Sequence, residues 1–424
     1  MQAREAAILA LLKWEQDDAY AHMALQDIFR LHDILPADRG LTEEITYGVI
    51  RNKELLDHNI RHYSKIRFKK ISIHILQILR IGLYQIYFLD RIPVSAAVNE
   101  SVKLAKKYGH QASAGFVNGV LRSAANHGMI YANSNELSVV LSTNHSFPVS
   151  LTEKWISLFK DLTENVMKAC NTPAPIYLRA SQEVFHKKLT PHDKIPMVYQ
   201  AETLDEEILA MIHNGLLSPQ DAGFSLPVLA LDPKPGMCVL DACAAPGGKT
   251  VHIAQKMKND GHVTAWDIHE HKLPLIQNAQ KRLGLSIIET QLHDSSVYDS
   301  QFKHKFDRIL LDVPCSGWGV IRRRPDIKWR EPDRFDKLPE LQYNILNACK
   351  SYLKPGGVLV YSTCTFNPSE NHEITERFLS ENQEFSRYTL PIDFPIPSEN
   401  GEISLLPGMY GCDGMYMATL TFGG

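Results

Sequence analysis

The sequence predicts a multidomain protein: an all-α N-terminal domain, a small α+β connector, and a C-terminal α/β Rossmann-like domain on a doubly wound parallel sheet. Three observations carry that prediction. At 424 residues the chain exceeds one ordinary core, since a domain takes roughly 100–200 residues. Its first 130 residues repeat apolar side chains at three- and four-residue spacing, the helical period. From residue 221 short apolar runs alternate with helical patterns, the signature of βαβ units.

Taken in order, "AAILALLKW", "ISIHILQILRIGLYQIYFL" and "AAVNESVKLAKKY" are the helical segments of the first domain, residues 1–130. Residues 51–80 hold eight Lys or Arg, among them Arg67, Lys69 and Lys70, and form a candidate RNA-facing surface. "HGMIYANSNELS", rich in Asn, Ser and Gly, reads as a linker. Residues 141–220 mix a helix around "LTEKWISLFKDL" with extended pieces such as "PIYLRAS", which makes the connector. In residues 221–424, "MCVLD", "GHVTAWDIH", "FDRILLDVPC" and "GGVLVYSTC" are strands. "KTVHIAQKMK", "HKLPLIQNAQKRLG" and "LPELQYNILNACKSYL" are the helices between them.

Composition narrows the function. Apolar content of 44% and charged content of 22% fit a globular protein, and a net charge of −3 leaves nucleic-acid affinity to local basic patches. No stretch approaches the ~20 apolar residues that span a bilayer, and the N-terminus lacks a cleavage-site pattern, so a cytoplasmic protein without membrane association is expected. Seven cysteines without CxxC pairs argue against a disulfide framework and against a zinc site, and no metal is expected.

"CAAPGGKT" nearly spells the phosphate-binding pattern G-x-x-x-x-G-K-[ST], but Cys243 stands where its first glycine belongs, and without that glycine a wide anion nest is hard to form. Acids close the strands: Asp241, Asp267, Asp312, and Asp294 just after a strand. Carboxylates repel a triphosphate. They suit a ligand with a ribose diol, an exocyclic amine and a positive centre, which S-adenosylmethionine combines. Asp267 is placed to accept from the ribose hydroxyls and Asp294 from the adenine amine, while Gly247 and Gly248 let backbone come close. Cys243 lines this loop.

Cys315 and Cys364 each follow the end of an apolar strand. Methyl transfer to oxygen or nitrogen has no use for a thiol. Methylation of carbon 5 of a pyrimidine does, because a thiolate adding to carbon 6 makes carbon 5 nucleophilic. Asp312 can then meet the charge that develops near N3, and a base must remove the carbon-5 proton before the thiol leaves. This chemistry leaves open which thiol attacks. Cys170, Cys238, Cys349 and Cys412 read as small buried hydrophobes.

"DACAAPGGKT", "LLDVPCSGWGVIRRRPDIKW" and "YSTCTFNPSENH" resemble the motifs of the Sun-type RNA cytosine-C5 methyltransferases, and "RIPVSAAVNESVKLAKKYG" with "FVNGVLRS" resembles the NusB RNA-binding domain. The resemblance spans nearly the whole chain. It implies a transferase that methylates 16S ribosomal RNA, with cytosine 967 as the family's site, acting as a monomer on free or early-assembly RNA. It implies that Cys243, Ala244, Ala245, Pro246, Gly247, Gly248, Lys249, Asp267, Asp294 and Asp312 bind the donor. It further implies that Cys364 is the nucleophile and that Cys315 assists product release. Ser181 stands where relatives carry Asn, and "CDGMYMATL" departs from their Asp-Gly-Phe-Phe. A second basic run, Arg322, Arg323, Arg324, Lys328 and Arg330 around Trp329, offers cations for phosphate and an aromatic for stacking. The alternative is a NusB-like RNA-binding factor with a vestigial methyltransferase domain, and turnover with labelled donor and RNA separates the two.

Overall fold

The computed structural model describes residues 1–17, 19–330 and 335–423. It divides into two compact units, Met1–Asn171 with Arg324–Pro332, and Thr172–Arg323 with Asp333–Gly424.

The first unit is helical. Ala3–Gln16, Ala21–Leu31, Pro36–Arg51, Lys53–Tyr63, Ile73–Phe88, Val94–Tyr108 and Gln111–His127 enclose a core that includes Ile8, Leu11, Val49, Leu56, Leu79, Leu83, Val117 and Leu121. Ile73–Phe88 is buried on nearly every face, which explains why its sequence is apolar almost without interruption. Its Arg80 is buried with it. The guanidinium donates to both oxygens of buried Asp57 at 2.7 Å and to Glu15 at 2.6 Å, and these acids overcome the burial and hold it charged. Arg80 is therefore internal rather than part of the basic surface expected across residues 51–80, whereas Arg67, Lys69 and Lys70 are exposed around the turn Phe68–Lys70.

The expected connector is split. Leu137–His145, Val149–Phe159 and Thr163–Asn171 belong to the helical unit, where Phe147, Trp155, Met167 and Cys170 are fully buried. Only from Thr172 does the chain join the second unit. There β1 (Ile176–Ala180), β2 (Leu189–Pro191), β3 (Val198–Ala201) and β4 (Leu217–Pro219) form an antiparallel sheet in the order β2-β3-β1-β4, backed by Glu206–His213.

The main sheet holds β5 (Cys238–Asp241), β6 (His262–Asp267), β7 (Ile288–Leu292), β8 (Phe306–Asp312), β9 (Leu353–Thr363), β10 (Phe385–Arg387), β11 (Glu402–Leu405) and β12 (Met415–Phe422). Its order is β10-β12-β9-β8-β5-β6-β7, with β11 beside β12. From β9 to β7 the pairing is parallel, and β12 closes the sheet antiparallel to β9. Central residues such as Leu240, Ile309, Leu310, Leu359 and Val360 are buried on both faces, which is why these strands read as continuous apolar runs. Of the three C-terminal strands, β10 and β11 are only three and four residues long, too short for a pattern to stand out, and β12 is buried along six consecutive residues. Their positions come from pairing with β9 and with each other. Successive strands run outward from β5 toward β7, then resume on its other side with β8. The crevice at that reversal lies beyond the carboxyl ends of β5 and β8, where such sheets bind ligands.

Candidate active site

Each strand-end acid has a distinct placement. Asp267 closes β6, is 7% exposed, and accepts from the backbone N–H of His269 on Oδ1 at 2.9 Å. Asp294, two residues beyond β7, accepts from the Ser296 N–H at 3.0 Å and hydroxyl at 2.6 Å. Asp312 closes β8, taking the Lys249 ammonium on Oδ2 at 2.6 Å and the Ser362 hydroxyl on Oδ1 at 2.9 Å. Asp267, Asp294 and Asp312 line one cleft of about 330 Å³ with Cys243, Ala245, Ile268, His293, Pro314, Leu341 and Ile345. Ile268 is 57% exposed on the cleft wall beside the Asp267 carboxylate, an apolar platform next to a hydrogen-bond acceptor.

Asp241 is the exception. It is fully buried and accepts from the Thr250 hydroxyl at 2.7 Å, and burial, reinforced by the charge of Asp312, pushes it up to about 7. It anchors the helix Gly248–Lys256 to the end of β5 and does not line the cleft.

The glycine loop also divides its tasks. Cys243 and Ala245 reach the cleft, while Ala244 is buried in the core and Pro246 and Gly248 are exposed. Gly247 has φ +103°, and a Cβ there would sit 3.1 Å from the Ile276 Cα, so this glycine serves the turn and the packing of the next helix rather than ligand approach. Lys249 turns toward Asp312. Burial works against its charge, but the Asp312 carboxylate outweighs that and raises its proton affinity, with Cys364 adding to the effect.

The two thiols meet. β8 and β9 pair with Asp312 opposite Ser362, so Cys315, three residues past β8, and Cys364, one past β9, arrive side by side. Their sulfurs are 3.1 Å apart, and the Cys364 N–H donates to the Cys315 Sγ at 3.3 Å. The hydrogen bond to Cys364, followed by burial, keeps the Cys315 proton on well above the ordinary thiol range. Behind the pair, Gly319 N–H donates to the Cys364 carbonyl and Gly414 N–H to the Gly319 carbonyl, both at 3.0 Å.

The second basic run is mostly internal. Arg322 and Arg323 converge on buried Asp413 and Asp221, and Arg323 also donates to the Pro175 carbonyl at 3.1 Å. Within the helical unit, Lys328 is 1% exposed and donates to the Arg51 carbonyl at 2.8 Å and to Asn171 at 3.0 Å, and burial draws its proton affinity well down. Arg330 is buried with its guanidinium 4.4 Å over the Tyr20 ring, and Trp329 donates to the Ile50 carbonyl. Burial takes Arg322, Lys328 and Arg330 off the surface, and Arg323 is held in ion pairs; these charges brace the fold instead of facing phosphate. Arg324 alone of the run is exposed. Sequence reasoning had no means of seeing Asp221 and Asp413, which lie 102 and 90 residues from Arg323 and satisfy it. Among the described residues, His372, Glu376 and Glu402 bring potential ligand atoms within 4.8 Å of one another, and Arg387 pairs with both acids.

Sequence reasoning also missed Glu370, Ser362 and Gln342, which shape the site without the signature of reactive groups. "YSTC" and "PSEN" contain the first two.

Residues 228–421 match the family model described as 16S rRNA methyltransferase RsmB/F, and residues 1–126 match the NusB family model. The probable ribosomal RNA small subunit methyltransferase B of Bacillus subtilis is 37% identical, with 98% of each chain covered. The ribosomal RNA small subunit methyltransferase B of Vibrio cholerae is 34% identical over 92% of this chain and 90% of its own. Among solved structures, the crystal structure of PH0851 superposes with a TM-score of 0.80 at 21% identity, covering 99% of this chain and 98% of its own, a likeness of fold. With such identity running through both units, the chain belongs to the RsmB/F family of 16S rRNA methyltransferases, with a NusB-family domain ahead of the catalytic one.

Proposed function

We propose that this protein methylates carbon 5 of a cytosine in 16S ribosomal RNA, using S-adenosylmethionine and a covalent bond between Cys364 and carbon 6. The observation that carries this reading is the pair of thiols 3.1 Å apart at the ends of β8 and β9, beside an acid-lined cleft. A donor site alone serves any methyltransferase, whereas a thiol pair beside it suits transfer to a carbon that must first be activated by a nucleophile.

The cleft residues fit the donor. Asp267 has an oxygen beyond its turn bond for ribose hydroxyls, Ile268 offers a face to adenine, and Asp294 lies beyond them for the exocyclic amine. When bound there, S-adenosylmethionine supplies an electrophilic methyl group. The protein's share is to hold the base and move its protons. Cys364 adds to carbon 6, and the ring's electron pair shifts toward N3. Asp312 accepts from the base's amine, and the proton it shares with Lys249 meets the charge at N3. After carbon 5 has given its proton to a base, the sulfur–carbon bond breaks, with Cys315 placed to protonate the departing Cys364 sulfur. To reach this cleft the cytosine must leave its stack. The exposed Arg61, Lys65, Arg67, Lys69, Lys70 and Arg324 are the cations from the two basic runs that remain available to RNA phosphates.

Denaturing electrophoresis of protein incubated with donor and 16S RNA tests the reading. Cys364→Ala should abolish methylation and any covalent complex, and Cys315→Ala should accumulate a complex attached through Cys364. Adducts in Cys364→Ala with none in Cys315→Ala would reverse the roles of the thiols. A methylated base other than 5-methylcytosine would end the proposal.

A further inference from the structure

Glu370 lies at the end of the short turn Pro368–Glu370 and is fully buried. Among the described residues, its carboxylate has no cation as a hydrogen-bond partner. Oε2 accepts from the Ser316 N–H at 2.8 Å and from the Gln342 amide at 3.0 Å, and Oε1 accepts from the Asn367 amide at 2.8 Å. Three N–H donors and no acceptor are the company of an ionised carboxylate, which offers only lone pairs. Buried charges of this kind are kept in place by their donors. One of those donors, Ser316, is the neighbour of Cys315, and a second, Gln342 of the helix Leu338–Cys349, reaches the same segment by also donating to the Pro314 carbonyl at 2.8 Å. The third, Asn367, and Glu370 itself belong to the segment that follows Cys364. Ser316 and Thr365 join hydroxyls across the same gap at 2.9 Å. The carboxylate thus ties together the two loops that bear the thiols.

We infer that Glu370 is a positioning residue that decides which of the two thiols carries their shared proton, keeping it on Cys315 so that Cys364 attacks. This rests on the covalent reading above. In the attack step Cys364 gives up its own proton to solvent and its thiolate electron pair forms the sulfur–carbon-6 bond. The ring's π pair moves toward N3, where the proton shared by Asp312 and Lys249 meets it, and the one proton left to the pair stays on Cys315. The groups facing Cys315 act in the required sense. Cys364 from the loop after β9 gives the largest effect, burial follows, and Glu370 adds its negative charge, opposed by the Gly317 N–H. Tyr361 of β9, also near Cys315, keeps its own proton and brings no charge.

The test uses the full-length protein in a Cys364→Ala background, where the effect of the second thiol is gone and that of Glu370 remains. Alkylation of Cys315 by iodoacetamide is followed against pH by mass spectrometry of its peptide. Glu370→Gln should move the midpoint down and make alkylation below it severalfold faster. Glu370→Asp, which keeps the charge, should stay closer to the parent. An unmoved midpoint in Glu370→Gln that still binds donor overturns the inference. So does loss of donor binding in both variants, which would make Glu370 a folding residue only. RNA containing 5-fluorocytidine, whose fluorine cannot leave as a proton does, separates this from failure of the covalent reading. With Cys364 restored, no adduct in the otherwise unaltered protein sinks that reading, whatever the alkylation shows. An adduct shared between Cys364 and Cys315 in Glu370→Gln supports the inference directly.

Discussion

Gly319 is the position where adding one carbon should do most harm. An ideal Cβ built there lies 1.8 Å from the Gly414 carbonyl oxygen, 2.4 Å from its carbon and 2.8 Å from the Cys364 carbonyl oxygen. All three are backbone atoms, so no side chain can swing aside. A carbon–oxygen contact needs over 3 Å, and the two strands of chain must part by more than an ångström. Parting them removes the two 3.0 Å hydrogen bonds that link Gly319 to Cys364 and Gly414, at about 0.5–1.5 kcal/mol each. It also displaces Asp413, buried beside Gly414 with Arg322 and Arg323 upon it, where loosening an ion pair adds a further 1–2 kcal/mol or about that. Gly319→Ala should therefore cost about 2–5 kcal/mol, whose upper end marks a specific mechanism. Gly248→Ala is the matched control, since no atom lies within 4 Å of its Cβ and the same unit holds it. Urea unfolding followed by fluorescence should show a large fall in midpoint for Gly319→Ala and almost none for Gly248→Ala. A Gly319→Ala protein within 0.5 kcal/mol or so of the parent would refute the reasoning, because the backbone would have yielded without cost.

Two further outcomes follow from the strand-end acids. Asp267→Ala should weaken donor binding by about 1–3 kcal/mol, the cost of leaving ribose hydroxyls without a charged acceptor, and calorimetry that finds unchanged affinity would remove Asp267 from the donor site. Asp241 ordinarily titrates near 3.8 but holds its proton to about 7 in the fold. Between those values the folded state binds the extra proton, so its contribution to stability is full below about pH 4 and is lost as pH rises toward 7. At about 1.4 kcal/mol per unit the loss is at most about 4 kcal/mol. Asp241→Asn, whose amide oxygen can still accept from Thr250, should flatten that slope when denaturation is compared at pH 5 and pH 8 or thereabouts, and an unchanged slope would place the titration elsewhere.

Much was legible in the sequence because local chemistry wrote it there. Continuous apolar runs ending in Asp are what strands buried on both faces and ending at a crevice require, and Asp241, Asp267 and Asp312 do end β5, β6 and β8. Helical periodicity placed the first domain for the same reason. The covalent order of the chain placed Cys315 and Cys364 at strand exits. Only the pairing of β8 with β9, in the register that sets Asp312 against Ser362, brought their sulfurs within 3.1 Å. Charge was the least legible property. Arg67 and Arg322 look alike in sequence, but one is exposed and the other is buried against Asp413, 91 residues away. The energy of a cation depends on where its counter-ion and its water are, and long-range packing decides both. Glu370 was hidden for a related reason: Asn367 donates to it from its own turn, but its other donors come from β8's loop and from Leu338–Cys349, and no local pattern announces those two distant N–H groups.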